Sequence, residues 1–194
     1  MTAAVVGVES AAMRFVLDKS SSRFTVQAFA TGMLSSFGHS PTFAIRDFTG
    51  EGTFDPASPS QASLVLRVRA DSLEVMDDIK SKDRREMEST MNESVLESAK
   101  YQEIVFISTN VSSNNLSEGR FQVNVNGNLS LHGVTRPLTV PAQVTVLGEE
   151  FRASGQVSLA QTSFGIQPVS VAGGTLKLKD EVKLSFDIVA RKQD

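Results

Sequence analysis

Hydrophobic and polar positions alternate through the longest regular stretch of the chain, residues 120–147. Phe121, Val123, Val125 and Leu129 fall on one series of alternate positions, while asparagine, glutamine and serine fill the other series. Successive side chains of a β-strand point to opposite faces of its sheet. The alternation therefore predicts strands that bury one face and expose the other.

A short polar break interrupts this stretch, and the alternation resumes over residues 138–146. Two alternating runs on either side of such a break predict an antiparallel hairpin. We place its turn at residues 134–135, which would set Val125 opposite Val144. Gly127 lies on the apolar series, where the missing side chain predicts a bend or the close approach of another group.

The same alternation recurs on both sides of the hairpin, in segments separated by turn-forming sequences, over residues 13–18, 23–30, 43–54, 63–70, 104–111, 151–159 and 182–190. The apolar series changes face near Asp47, which predicts a bulge or bend. Residues 104–111 carry apolar side chains on both series, so we predict that this strand is covered on both faces. About eight antiparallel strands joined by short links favour an all-β fold that closes into a barrel.

One segment, residues 71–100, departs from the strand pattern. Met87, Met91 and Val95 recur there at helical spacings among charged residues. This predicts two short helices, with Asn92 as the N-cap of the second. We expect the helical insertion to cover one end or one side of the barrel, with both methionines turned inward.

The composition narrows the possible functions. The 194 residues carry a net charge of -3 and include no cysteine, no tryptophan and 12 phenylalanines. Without cysteine there are no disulfides and no thiolate nucleophiles or metal ligands. The scattered lysines and arginines do not form the basic stripe of a nucleic-acid-binding protein, and no apolar run is long enough for a transmembrane helix. Phenylalanine carries no polar group, which suits an apolar interior.

The first residues differ from the rest of the chain. Residues 1–12 show no amphipathic period and no helix cap, so we predict a disordered tail followed by one domain over residues 13–194. This start also lacks the basic segment and the long apolar core of a signal peptide. The expected location is therefore cytoplasmic, and a signal segment removed from the chain would change that expectation to the periplasm.

Few residues offer catalytic or metal-binding chemistry. His39 and His132 are far apart in sequence, and each precedes a turn-forming residue, so we interpret both as loop residues. Asp77, Asp78 and Asp83 lie near a helix start, where negative charge is favoured without a metal ion. No nucleophile, phosphate-binding or dinucleotide motif accompanies them. We therefore predict no catalytic residue, metal or cofactor.

Several short motifs occur in a characteristic order: KYQEIVF at residues 100–106, NLSLHGVTRPLTV at 128–140, SFGI at 163–166 and KDEVKLSFDIVA at 179–190. In this respect the chain resembles the YceI-like family, although Gln102 stands where the family usually has proline. The resemblance spans residue 15 to the C-terminus. It implies a lipocalin-like barrel whose apolar tunnel binds a long isoprenoid or a similar amphiphilic lipid, such as one with a quinone-like head group.

The alternating positions supply candidate lining residues for such a tunnel: Phe24, Val26, Phe43, Leu66, Val68, Val123, Val125, Leu129, Val140 and Val144. Two alternatives remain at this point. The protein could be an enzyme that acts on an amphiphile, with His39 as a general base near the tunnel mouth. It could also be an interaction module whose barrel is filled by side chains, and a homodimer is compatible with each of these functions.

Overall fold

The computed structural model describes residues 12–31, 40–55, 57–171 and 176–193. Within these ranges the chain forms twelve β-strands and one α-helix, α1 (Ser81–Thr90). The strands are β1 (Met13–Leu17), β2 (Arg23–Thr31), β3 (Thr42–Ile45), β4 (Phe48–Phe54), β5 (Ser63–Arg69), β6 (Leu73–Val75), β7 (Glu103–Ser117), β8 (Arg120–Leu131), β9 (Val134–Leu147), β10 (Glu150–Ala160), β11 (Ser170–Val171) and β12 (Leu176–Gln193).

The described strands close into an antiparallel barrel. The pairing runs β1, β4, β5, β7, β8, β9, β10 and β12, and β12 then pairs with β1 to complete the circuit of eight. Closure joins the two ends of the sheet, so this circuit has no terminal strand. The predicted fold class is confirmed.

Three of the wall strands are interrupted at the same level of the barrel. Beyond the interruptions, β2 continues the line of β1 beside β12, β3 pairs with β2, and β6 pairs with β3. The break between β3 and β4 falls at residues 46–47, which confirms the bend predicted near Asp47. Lys19 and Arg69, from the neighbouring breaks, lie 2.7 and 3.7 Å from the Asp47 carboxylate.

The central hairpin forms, but its predicted turn was wrong. β8 and β9 are joined by His132 and Gly133, which have φ angles of 52° and 74°. Two consecutive residues with positive φ are typical of a type I′ turn, whose twist matches that of the paired strands. Val125 consequently pairs with Val140 rather than with Val144. The partner of each β8 residue moves along β9 by an even number of residues. Each side chain therefore stays on its predicted face of the sheet.

Gly127 behaves as the pattern predicted. A Cβ atom at this position would lie 2.5 Å from Cζ of Phe106 and 2.5 Å from the carbonyl oxygen of Ile107. The aromatic ring of β7 therefore packs directly on the bare backbone of β8. The prediction of a close approach at this glycine is confirmed.

The helical insertion differs in detail from the prediction. Leu73–Val75 forms a strand, and α1 continues without a break into a π-helical turn, Met91–Val95. Asn92 lies inside that turn, where its carbonyl oxygen accepts a hydrogen bond from the Ser98 N–H at 2.9 Å, so it is not an N-cap. The two predicted helices are thus one continuous element. No helix of the described residues has the length and apolar character needed to cross a bilayer.

The prediction that residues 104–111 are covered on both faces was also wrong. Phe106 points inward and is buried, but Ile107 on the other face keeps 48% of its surface exposed. Apolar residues on both series therefore do not require cover on both sides. The outer face of this strand remains open to solvent.

Candidate ligand-binding cavity

A cavity of about 870 Å³ occupies the barrel interior. Its volume lies within the roughly 300–1,000 Å³ that ligand sites usually have. Every residue predicted to line a tunnel borders this cavity: Phe24, Val26, Phe43, Leu66, Val68, Val123, Val125, Leu129, Val140 and Val144. The structure thus brings all of them together, while their contact with a ligand stays a prediction.

Several residues of the cavity wall face inward and are nevertheless only half-buried. Val26, Leu66, Val125 and Val140 all border the cavity and keep intermediate exposure. Side chains that fill a core interdigitate at the density of organic crystals and lose nearly all their accessible surface. The retained exposure therefore means that these side chains surround open space rather than one another.

The candidate set from the sequence took no residue from β1, β4, β7, β10 or β12. Their inward side chains also border the cavity, including Leu17, Leu159, Leu184, Phe186 and Ile188. The three in β12 belong to the alternating series of residues 182–190. The signal that found the other lining residues was therefore present for these residues as well.

One end of the cavity, the mouth, lies beside α1. Met87 and Met91 border the cavity there, and Met91 is only 6% exposed, which confirms that both methionines turn inward. Asp83 and Glu86 of α1 and Lys177 of β12 are exposed charged residues on the same border. A head group held here would lie beside charged side chains while its apolar chain extended into the barrel.

The opposite end, the closed end, is filled by phenylalanine rings. The ring centroids of Phe54 and Phe151 are 5.5 Å apart, and those of Phe15 and Phe151 are 5.8 Å apart. Phe121 packs behind Phe54, with centroids 5.8 Å apart and the planes at 73°. These distances and tilts are the favoured arrangements of interacting aromatic rings. Phe15, Phe54 and Phe151 border the cavity and form its floor.

The sequence pattern of the YceI-like domain matches residues 15–190. The chain belongs to the YceI-like family. A UPF0312 protein of Pseudomonas savastanoi pathovar phaseolicola is 30% identical over 202 residues, which cover 98% of this chain and 94% of that protein. A UPF0312 protein of Shewanella baltica is 27% identical over 165 residues, 81% of this chain and 79% of the relative.

Solved structures share the YceI-like barrel at low sequence identity. BcnA of Burkholderia cenocepacia superimposes with a TM-score of 0.70 at 18% identity, over 89% of this chain and 98% of BcnA. A polyisoprenoid-binding domain from Saccharophagus degradans, implicated in plant cell wall breakdown, gives a TM-score of 0.66 at 14% identity. That match covers 93% of this chain and 99% of the domain. At such identities the likeness establishes the fold.

A histidine joint holds three elements together at the mouth of this YceI-like barrel. The His132 Nε2 atom lies 2.6 Å from Oε2 of Glu97, which follows the π-helical turn, and Nδ1 lies 3.3 Å from the Phe164 carbonyl oxygen. A carbonyl oxygen only accepts hydrogen bonds, so Nδ1 carries a proton. The His132 ring therefore bridges the Glu97 carboxyl group and the Phe164 carbonyl group, which belong to two different elements.

Glu97 reaches His132 from an unusual backbone conformation. Its φ angle is 45°, in the left-handed region where glycine is the usual residue after a helix. Tyr101 packs on the other side of the joint, with its ring centroid 4.4 Å from that of His132. A glycine at position 97 would have no side chain to reach His132, so the helical insertion would not be joined to the hairpin by this contact.

The barrel wall is not paired continuously beside the mouth. β10 pairs with β9 only over residues 143–147 of β9, although β9 pairs with β8 over residues 134–145. The N–H groups of alternate residues in β9 face away from β8. Pro137 and Pro141 occupy two of these positions and have no N–H to donate. The sequence of β9 thus explains why the two strands separate there.

The 3₁₀ turn Gln161–Phe164 covers this separation. Arg136 of β9 donates from Nε to the Ser163 carbonyl oxygen at 3.2 Å. Asp180 of β12 accepts from the N–H and the hydroxyl group of Thr162 at 2.8 and 2.6 Å. These two hydrogen bonds lower the pKa of the Asp180 carboxyl group below its usual value. The turn is therefore tied to β9 and to β12, the strand that pairs with β10 on its other side.

The remaining polar candidates have limited roles in the described structure. His39 lies outside the described residues. The Asp77 carboxylate accepts a hydrogen bond from the Thr42 N–H at 2.9 Å and so links the start of β3 to the segment before α1. Within the described ranges, no three histidine, aspartate or glutamate side chains are arranged to hold a metal ion.

Proposed function

We propose that this protein binds a long-chain isoprenoid, or a similar amphiphilic lipid, and sequesters or transports it without chemical change. The observation that carries the proposal is the open, apolar cavity that extends from α1 to the phenylalanine floor. A quinone-like group is one possible head group. The tail lies in the barrel and the head group lies at the mouth.

The physical basis is the burial of apolar surface. Each methylene-sized group removed from water contributes about 0.8 kcal/mol, so a long chain gains enough to offset the loss of its conformational freedom. The wall offers aliphatic and phenylalanine side chains from strands all around the barrel. Such a surface selects a chain by its shape and apolar character rather than by hydrogen bonds.

The Saccharophagus degradans neighbour supports the same class of ligand. That domain is described as polyisoprenoid-binding, and it shares the barrel over nearly its full length. At 14% identity the likeness does not carry its ligand over to this chain. It makes isoprenoids the first lipids to test.

The two alternatives differ from the proposal in what they require. An interaction module with a filled barrel requires side chains to occupy the space where the cavity lies. The half-buried residues of the cavity wall argue against this alternative. An enzyme requires a reacting group near the ligand, and His39 was the candidate. Substitution of His39 by alanine should leave lipid uptake unchanged, and conversion of a bound lipid that stops in this variant would favour the enzyme.

Lipid bound during expression gives the direct test of the proposal. Native mass spectrometry of gently purified protein should reveal an adduct, and organic extraction should release a lipid of the same mass. Protein that has been unfolded, extracted and refolded is the matched control, and it should take up an added prenylated quinone. The absence of an adduct together with the absence of uptake by the refolded barrel would refute the proposal.

Location, assembly and the domain boundary are separate predictions. Cell fractionation tests the expected cytoplasmic location, and sedimentation velocity tests for a homodimer. The predicted tail falls outside the described residues except for Ala12. A chain that begins at Met13 should unfold at the same temperature as the full chain, and a fall of several degrees would show that the tail packs on the barrel.

A further inference from the structure

We propose that Phe54 and Phe151 set the maximum length of the lipid chain that this barrel accepts. The inference rests on the proposed function, because it concerns the depth of the same cavity. It assigns a specificity-determining role to two residues that the alternating pattern alone does not distinguish from the rest of the wall.

The first step is the position of the two rings. Phe54 is the last residue of β4 and Phe151 the second residue of β10, so both lie at the end of the barrel opposite α1. Their centroids are 5.5 Å apart, and both rings border the cavity. A chain that enters from the mouth therefore meets these rings at the bottom.

The second step is the support behind the floor. Phe54 is only 7% exposed and packs edge-on against Phe121, which is also 7% exposed. Phe15, at 4% exposure, packs on Phe151, which is itself half-buried. Phe54, held between Phe121 and Phe151, has little room to move aside for an incoming chain.

The third step is the consequence for affinity. Each further methylene group that enters the cavity strengthens binding, because it leaves water. Once the chain end reaches Phe54 and Phe151, additional carbons stay outside the mouth and add nothing. Affinity should therefore rise with chain length and then reach a plateau whose position depends on these two side chains.

The test is a displacement assay with prenyl alcohols of increasing length, from farnesol through geranylgeraniol to solanesol, on delipidated protein. The wild-type protein should show a plateau within the series. In Phe151→Ala and Phe54→Leu the plateau should move to a longer alcohol. The first alcohol beyond the wild-type plateau should gain about tenfold in affinity, the effect of burying about two further methylene groups.

Phe48→Leu is the matched control, because Phe48 is a buried ring that packs on Phe24, away from the floor, and does not border the cavity. Its plateau should stay at the wild-type length. Phe54→Leu is a milder change, because leucine is apolar but smaller than phenylalanine. Its gain in affinity should be smaller than that of Phe151→Ala, and the test then does not depend on the folding of the alanine variant.

The possible outcomes separate the two proposals. If the wild-type protein binds none of the alcohols, lipid binding itself is refuted. If it binds them but shows no plateau, or if its plateau stays in place in both floor variants, the role of Phe54 and Phe151 is refuted while lipid binding stands. An equal shift in Phe48→Leu would also overturn it, because the loss of a buried ring away from the floor would then have the same effect.

Discussion

The closed end and the cavity wall of this barrel have the same alternating sequence pattern and opposite packing. At the closed end, Phe121, Val144 and Ala153 are 7%, 3% and 6% exposed and pack against one another. Nearer the mouth, Val125 and Val140 face inward in the same two strands, β8 and β9, and remain half-exposed. One hairpin therefore contributes both to a filled core and to the wall of a void.

The difference shows what alternation specifies and what it leaves open. Alternation fixes which side chains point into the barrel. The interior of an eight-stranded barrel is just wide enough for side chains to fill it or for one small ligand to occupy it. Phenylalanine rings lie in both parts: Phe15, Phe54, Phe121 and Phe151 meet at the closed end, while Phe24 and Phe48 pack with their centroids 4.8 Å apart nearer the mouth. Which part is filled therefore depends on how side chains meet across the interior, and alternation does not specify that.

The largest loss of stability should follow removal of a ring from the closed end. Phe121→Ala should lower the free energy of unfolding by about 3–5 kcal/mol, because it leaves a cavity in a packed cluster. Urea denaturation measures this change. Phe29→Ala is the control, because Phe29 lies in the alternate series of β2, opposite the residues that border the cavity, and should cost much less. Equal losses in the two variants would contradict the distinction between packed end and surface.

Enlarging a side chain in the packed region should have the next largest effect. Val144→Phe should cost about 1–3 kcal/mol, because Val144 borders the cavity but is only 3% exposed and packed within the closed-end cluster. The midpoint and slope of urea denaturation give the change in stability. An unchanged stability would mean that the closed end holds unfilled space near Val144.

The sequence predicted the barrel and its inward faces but not the register of the central hairpin. Both LHGV and GVTR contain turn-forming residues, and only the positive φ angles of His132 and Gly133 decide between them. The error left the inward faces unchanged, since the pairing moved by an even number of residues. The predicted register placed Val125 and Val144 opposite each other in the same surroundings. In the structure Val144 is 3% exposed, whereas Val125 is only half-buried.

Contacts between distant segments were beyond the sequence argument. His132 was predicted to be a loop residue, and its turn position is confirmed. Its partners Glu97 and Phe164 lie 35 and 32 residues away in the chain, and no local pattern connects them. The strand Leu73–Val75 was missed for a related reason, because it is short and stands beside a strongly charged helix. This strand is stabilised by its pairing with β3 and not by a residue pattern of its own.

The histidine joint should contribute less than either core position. His132→Asn suits the left-handed turn conformation, since Asn-Gly is favoured there, but asparagine is too short to reach Glu97. In a double-mutant cycle with Glu97→Gln, we expect a coupling free energy of about 1–2 kcal/mol, below that of a buried charged pair because Glu97 is partly exposed. A coupling within about 0.3 kcal/mol of zero would show that water replaces the contact at no cost.

The smallest effect on stability should come from the same valine-to-phenylalanine change in the cavity wall. Val125→Phe places the added ring in open space, so its unfolding free energy should stay within about 0.5 kcal/mol of the wild-type value, whereas Val144→Phe loses more. The ring should nevertheless obstruct the cavity between the mouth and the floor. Long prenyl alcohols should then bind more weakly while farnesol is retained, as measured by displacement on delipidated protein. A Val125→Phe protein as unstable as Val144→Phe would mean that the space beside Val125 closes in solution, and the barrel would then lack the room that a lipid carrier needs.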